Sequence, residues 1–184
     1  MLRWLASPTQ VWNEGIHWDR LPWFAVEKAR QGPISTLLGV TFAWPNPNRK
    51  RGTGATVRWR AIAVGDSCLF QIRDDEVIVC FPVTRCADFG TTPPLLSTQL
   101  EYNRRSLNYL QHHDGACQLG DLFVLATDAL AAWFLCRVET GEQPWRDLVG
   151  LNTEKFVELV ERLRQERAMR NDDVTLLLGY LSNF

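Results

Sequence analysis

The chain has 184 residues, 46% of them hydrophobic and 22% charged, with 20 basic against 21 acidic side chains. This fits one folded domain able to bury a core without a metal or disulfide to hold it. The formal charge of -1 excludes nucleic-acid binding through bulk electrostatics, a polybasic membrane anchor and a highly charged disordered tail.

Five cysteines stand at 68, 80, 86, 117 and 136. Their odd number and irregular spacing predict reduced thiols in a cytoplasmic protein, with no zinc site or disulfide framework. The first eight residues carry one cation and too short an apolar core for a signal peptide. The longest apolar run, 129–136, is far short of the roughly 20 residues that span a bilayer.

Four of the eight tryptophans (Trp4, Trp12, Trp18 and Trp23) fall early, which predicts a Trp-rich helical opening over residues 1–31, laid on a core. Within it, Pro22 and Gly32 bound a short helix over 21–31. Phe24, Ala25 and Ala29, with Trp23 and Val26, supply its buried face. Residues 34–44 read as a strand buried on both faces. Residues 45–55 form a polar loop, with Arg49-Lys50-Arg51 at an exposed tip.

Residues 56–64 alternate, with Val57, Trp59, Ala61 and Ala63 on one face and Arg58, Arg60, Ile62 and Val64 on the other. Gly65-Asp66-Ser67 makes a tight turn into a strand over 68–73. A second turn at 73–76 leads into a strand over 77–81. Such short connections join antiparallel neighbours. Residues 83–115 show little periodicity. Pro93-Pro94 forbids helix there, the stretch 99–110 allows a short one, and His112-His113-Asp114 reads as a solvated loop.

Residues 122–127 read as a buried strand. Asp128 follows it and opens a helix over 129–139, where a carboxylate suits the positive end of the dipole. The best amphipathic helix covers 153–168, capped by Thr153, with Phe156, Val157, Leu159, Val160 and Leu163 at helical spacing. A strand over 174–181 ends the pattern. The fold class is mixed α/β (α+β) with antiparallel strands.

Three segments place a carboxylate at a strand end beside a small residue or a turn: Gly65-Asp66-Ser67, Thr127-Asp128-Ala129 and Asp172-Asp173-Val174-Thr175. Carboxylates gathered at a sheet rim make a hard-oxygen site suited to Mg²⁺ or Mn²⁺. In order and spacing the set resembles the metal-dependent protein phosphatases of the PP2C (PPM) family. There a Gly-Asp-Ser turn, a Thr-Asp-Gly strand end and a late Asp-Asn or Asp-Asp before Val-Thr recur. Ser35-Thr36, within residues 32–38, matches that family's strand entry ahead of the hairpin.

The resemblance covers about residues 30–181. It implies a sandwich of antiparallel sheets flanked by helices, two core Mg²⁺ or Mn²⁺ ions, and hydrolysis of phosphoserine or phosphothreonine in a phosphoprotein substrate by a metal-activated water. It implies that Asp128 and Asp172 ligate one core metal, with Asp66 in an outer position. The family's Arg…Asn-Glu-Asp and Asp-Gly segments, which supply the bridging aspartate and a phosphate-gripping arginine, have no counterpart before Asp66. Ala129 stands where the family usually has Gly.

The chain is therefore expected to be the C-terminal portion of a single PP2C-like domain, residues 1–184, N-terminally incomplete. It is a fragment or late start of a longer phosphatase, a shortened non-catalytic relative that binds a partner protein, or a chain whose missing strands come from a partner.

Overall fold

A computed structural model describes residues 10–11, 14–30, 32–43, 57–90, 92–99 and 103–182. Trp4, Trp12 and Arg49-Lys50-Arg51 lie outside the described residues. The elements in chain order are helix α1 (Trp23–Arg30), strands β1 (Ile34–Ser35), β2 (Leu37–Ala43), β3 (Val57–Val64), β4 (Cys68–Arg73), β5 (Glu76–Phe81) and β6 (Leu96–Ser97), a single-turn helix α2 (Asn103–Ser106), strands β7 (Gln111–Cys117) and β8 (Leu122–Ala126), helices α3 (Asp128–Glu139), α4 (Trp145–Leu148) and α5 (Thr153–Gln165), and strand β9 (Leu176–Tyr180).

Alternation in β3 decides the architecture. Val57, Trp59, Ala61 and Ala63 are buried, while Arg58 and Arg60 are exposed. β3 therefore turns one face to a core and, at Arg58 and Arg60, the other to water, while Val64 at its end is buried against Leu96; it sits at the centre of a three-stranded sheet ordered β2-β3-β7. A four-stranded sheet, ordered β5-β4-β8-β9, lies against it. One core fills the space between the sheets, from Trp59, Leu69, Phe81, Phe123 and Leu181. A second joins the other face of the four-stranded sheet to α3, α4 and α5, where Phe70 stacks on Phe134 with centroids 4.3 Å apart. Among the described residues all pairings are antiparallel. The layering is thus sheet on sheet on helices.

The second turn expected at 73–76 joins β4 to β5, with Arg73 paired to Glu76. Asp74 and Asp75 both take left-handed backbone, at φ 50 and 60. That geometry matches strand twist in a two-residue hairpin. At the same end of the sandwich, Asp121 is buried and receives both Arg73 Nε (2.8 Å) and Nη2 (2.7 Å). Gln71 Nε2 reaches the same carboxylate at 2.6 Å, and its Oε1 accepts from Trp59 Nε1 at 3.1 Å. Burial pushes the Asp121 carboxyl up, but Arg73, the Gln118 backbone N–H and Gln71 outweigh it and hold the group below its ordinary value.

Several expectations are corrected. Residues 34–43 form two strands, broken at Thr36 because β1 leaves to pair with β6, and they are at most half-buried, not buried on both faces. Residues 111–117 are a strand and not a solvated loop. Its side chains are polar because its outer face is wet, so periodicity gave no apolar signal. His112 is exposed, whereas His113 stacks on Trp59 at 5.3 Å.

Helix α1 buries far less than its apolar face suggests, with Trp23 84% and Phe24 62% exposed. Helix α5 is capped by Asn152, whose side chain accepts from the Lys155 N–H, and not by Thr153. Val157 is exposed while Leu159, Val160 and Leu163 are buried. Cys86 and Cys136 are joined as a disulfide, leaving Cys68, Cys80 and Cys117 free. These two are 50 residues apart, so spacing carried no sign of the pair. They meet where the Cys86 N–H bonds Glu139 at the end of α3.

Two outcomes test this packing. A Cβ at Gly115 would lie 2.3 Å from the Trp59 indole, so Gly115→Ala is expected to lower the free energy of unfolding in urea by about 1–3 kcal/mol. Asp121→Ala, which leaves Arg73 without its partner, is expected to cost about 3–5 kcal/mol. Because the Asp121 carboxyl is held low, its contribution stands in full at neutral pH. It is lost as pH falls through the folded value, below the ordinary 3.8, which acid titration of wild type and variant compares directly.

Candidate metal-binding rim

Pairing register brings the candidate acids to one end of the four-stranded sheet. Cys68, the first residue of β4, pairs with Ala126, the last of β8. Ala126 also pairs with Leu176, the first of β9. Strands in a ladder are about 4.8 Å apart, so these three form one short row. Asp66 lies two residues before that row, Asp128 two residues after it, and Asp172 four residues before Leu176.

Local bonds fix each segment. Gly65 sits at φ +105, and a Cβ there would lie 2.5 Å from the Thr36 side chain, so the turn before Asp66 requires glycine. Thr36 and Ser67 share a hydroxyl hydrogen bond of 2.7 Å across that approach. This ties the Ser35-Thr36 entry to the Asp66 turn.

Thr127 clamps the other two segments. Its N–H donates to the Thr175 carbonyl, its hydroxyl donates to the Asp173 carbonyl, and the same oxygen accepts the Thr175 N–H. Thr127 is the N-cap residue of α3, so Asp128 is the first helical residue and not the cap. Asp172 accepts the Asp173 N–H on its own carboxylate, and its carbonyl is bonded by the Arg164 guanidinium.

The electrostatics follow this geometry. Asp66 is buried, at 7% exposure. Its carboxyl is pushed up, first by burial and then by the negative charge of Asp128, with Asp172 adding to it. Its own backbone N–H and the cation of Arg170 oppose the shift. Asp66 therefore lies within electrostatic reach of both Asp128 and Asp172. Among the described residues, none of the three takes part in an ion pair. Arg170 was not singled out from the sequence. Its only signal was a cation immediately before Asn171-Asp172-Asp173.

As donors, oxygen-only, uncompensated carboxylates suit a hard divalent cation. In number they fall short, since among the described residues no three His, Cys, Asp or Glu side chains converge closely enough to enclose an ion. The described residues thus do not enclose an ion at this rim. Among the described residues no helix is long and apolar enough to cross a membrane.

No family model matches the chain and no curated protein matches it. Among solved structures, the chain is similar to the phosphatase domain of the Bacillus subtilis cell fate determinant SpoIIE, at 14% identity and TM-score 0.42, covering 100% of this chain and 74% of that one. A manganese-presoaked form of that domain gives 13% identity and TM-score 0.41, covering 99% and 75%. The photosystem II phosphatase PBCP gives 14% identity and TM-score 0.36 over 60% of this chain. The chain spans 44% of the length of PBCP.

A raised carboxyl means that the folded state resists the Asp66 charge, so stability falls as pH rises through its folded value. In EDTA, Asp66→Asn is expected to raise the thermal midpoint at pH 7 by a few degrees. The gain should shrink as the pH is lowered into the carboxyl range. Scanning calorimetry across pH 3–7, on the order of five buffers, checks the sign.

Proposed function

We propose that the chain is a metal-dependent protein serine/threonine phosphatase of the PP2C type, hydrolysing phosphoserine or phosphothreonine with a metal-activated water. One observation carries this reading. Asp66, Asp128 and Asp172 come from three distant segments that flank one row of paired strand ends, Asp66 feels the charge of the other two, and among the described residues none of them is in an ion pair. Asp128 and Asp172 would hold Mg²⁺ or Mn²⁺. When bound, such an ion supplies a water of lowered pKa and neutralises charge on a phosphoryl group.

The chain's own residues perform the positioning. Thr127 holds the Asp128 and Asp172 segments side by side. The Thr36–Ser67 bond orients the turn that carries Asp66. Arg170 is exposed at the same rim and offers a cation to a phosphate dianion.

The shortage of converging ligands favours a second reading, a phosphatase-like module that binds a partner protein without catalysis. Hydrolysis of a phosphothreonine peptide with Mn²⁺, together with calorimetric Mn²⁺ binding, separates the two. The phosphatase reading expects Mn²⁺-dependent turnover that falls at least about 100-fold in Asp128→Asn and in Asp172→Asn, with folding retained. Equal rates in wild type and Asp128→Asn would end any catalytic role for that residue. Mn²⁺ binding with no turnover would leave the non-catalytic module.

A further inference from the structure

The cysteines divide by access. Cys68 and Cys117 are buried, and Cys80 on β5 is half-buried against the core under α3. Burial pushes all three thiols up, Cys68 to about 12 and the other two to about 11, so they hold almost no reactive thiolate near neutral pH. Cys136 alone is exposed, and it is the one bonded to the half-buried Cys86.

That bond joins two elements which both lead to the rim. Cys136 stands on α3, about two turns after Asp128. Cys86 opens the 3₁₀ turn Cys86–Asp88, in the segment that follows β5. Beside the disulfide, this segment is held by the exposed bond from the Cys86 N–H to Glu139 at 2.7 Å and by Phe89 in the core. Earlier in the same segment, Val83 packs on the core that contains Cys68, and its backbone N–H faces the Cys68 sulfur. The Cys68 thiol in turn donates to the Asp66 carbonyl at 3.3 Å. Movement of the segment therefore reaches the turn that carries Asp66.

We propose that the Cys86–Cys136 bond is a reversible thiol–disulfide latch, opened by a dithiol reductant, and that its state sets how firmly the Asp66 turn is held. A thiolate of the reductant attacks the exposed Cys136 sulfur. The S–S bond breaks, and Cys86 leaves with the electron pair and takes a proton from water. The second thiol of the reductant then expels Cys136, which is protonated in the same way, and the reductant departs as a disulfide. Oxidised glutathione reverses the exchange by accepting the two electrons. Cys80 takes no part, because burial and the charge of Glu139 keep it protonated.

The test runs in EDTA without a phosphorylated substrate, so its failure is distinct from failure of the phosphatase reading. The folded full chain is equilibrated with dithiothreitol or with oxidised glutathione, alkylated, and mapped by mass spectrometry. Reduction is expected to expose Cys86 and Cys136 to label together and oxidation to protect both, while Cys68, Cys80 and Cys117 label only in denaturant. Reduction should also speed amide exchange over 83–89 at least about tenfold and at Ser67 and Cys68 at least about threefold, with a lower thermal midpoint. Cys136→Ser should show the reduced exchange pattern in either buffer, and Cys86→Ser serves if that variant unfolds. Cys80→Ala should leave the labelling of the pair unchanged. The proposal is overturned by a bond that dithiothreitol opens only in denaturant, by a pair that stays labelled in oxidised glutathione, by a bridge to Cys80, or by unchanged exchange at Ser67 and Cys68 after reduction.

Discussion

Thr127 is the residue on which the rim depends. One hydroxyl group and one amide make three hydrogen bonds to the chain just before β9. Without them, the segment carrying Asp172 and Asp173 would be joined to the sheet only through the strand that follows it. Like charges repel, and Asp66 already feels both neighbours. The fold therefore spends backbone hydrogen bonds to hold negative charge where electrostatics alone would spread it. Such an arrangement is stable because the opposing forces act on different atoms: main chain fixes position, while side chains bear the repulsion.

The two ends of the sandwich solve the same problem in opposite ways. At the β4–β5 end, the carboxylate of Asp121 is enclosed by a guanidinium, an amide and a backbone N–H, and its charge is fully answered. At the rim, the carboxylates have a neighbouring cation in Arg170 but no ion pair among the described residues. A compensated buried acid serves cohesion. Of the rim acids only Asp66 is buried, so the cost of unanswered charge falls on it, whereas Asp172 is exposed to water.

The strands with strong alternation or a continuous apolar run were legible in the sequence. β3, β4, β5 and β8 fall where the pattern places them, because each buries at least one face on a core. The helices α3 and α5 were legible for the same reason. β7 was not, since Gln111, His112 and Asp114 face water and its pairing with β3 rests on backbone bonds that leave no apolar trace. The short helix α4 was missed because four residues show no period.

For the rim, the acids themselves were visible as strand-end carboxylates, but their mutual proximity depends on which strands pair, and a single sequence does not state that. Arg170 and the Cys86–Cys136 pair were hidden because nothing local marks either as a partner of a distant group.

The chain of polar contacts from Trp59 through Gln71 to Asp121 and Arg73 has one more effect. It ties an indole on one sheet to an amide and a guanidinium on the other, and a turn carboxylate closes the circuit. Sliding either sheet by one residue would turn these groups toward the wrong layer and leave several dipoles without a complement in an apolar interior. The arrangement works as a vernier: it adds little to cohesion that oil-like burial would not provide, but it allows one alignment and penalises the adjacent ones.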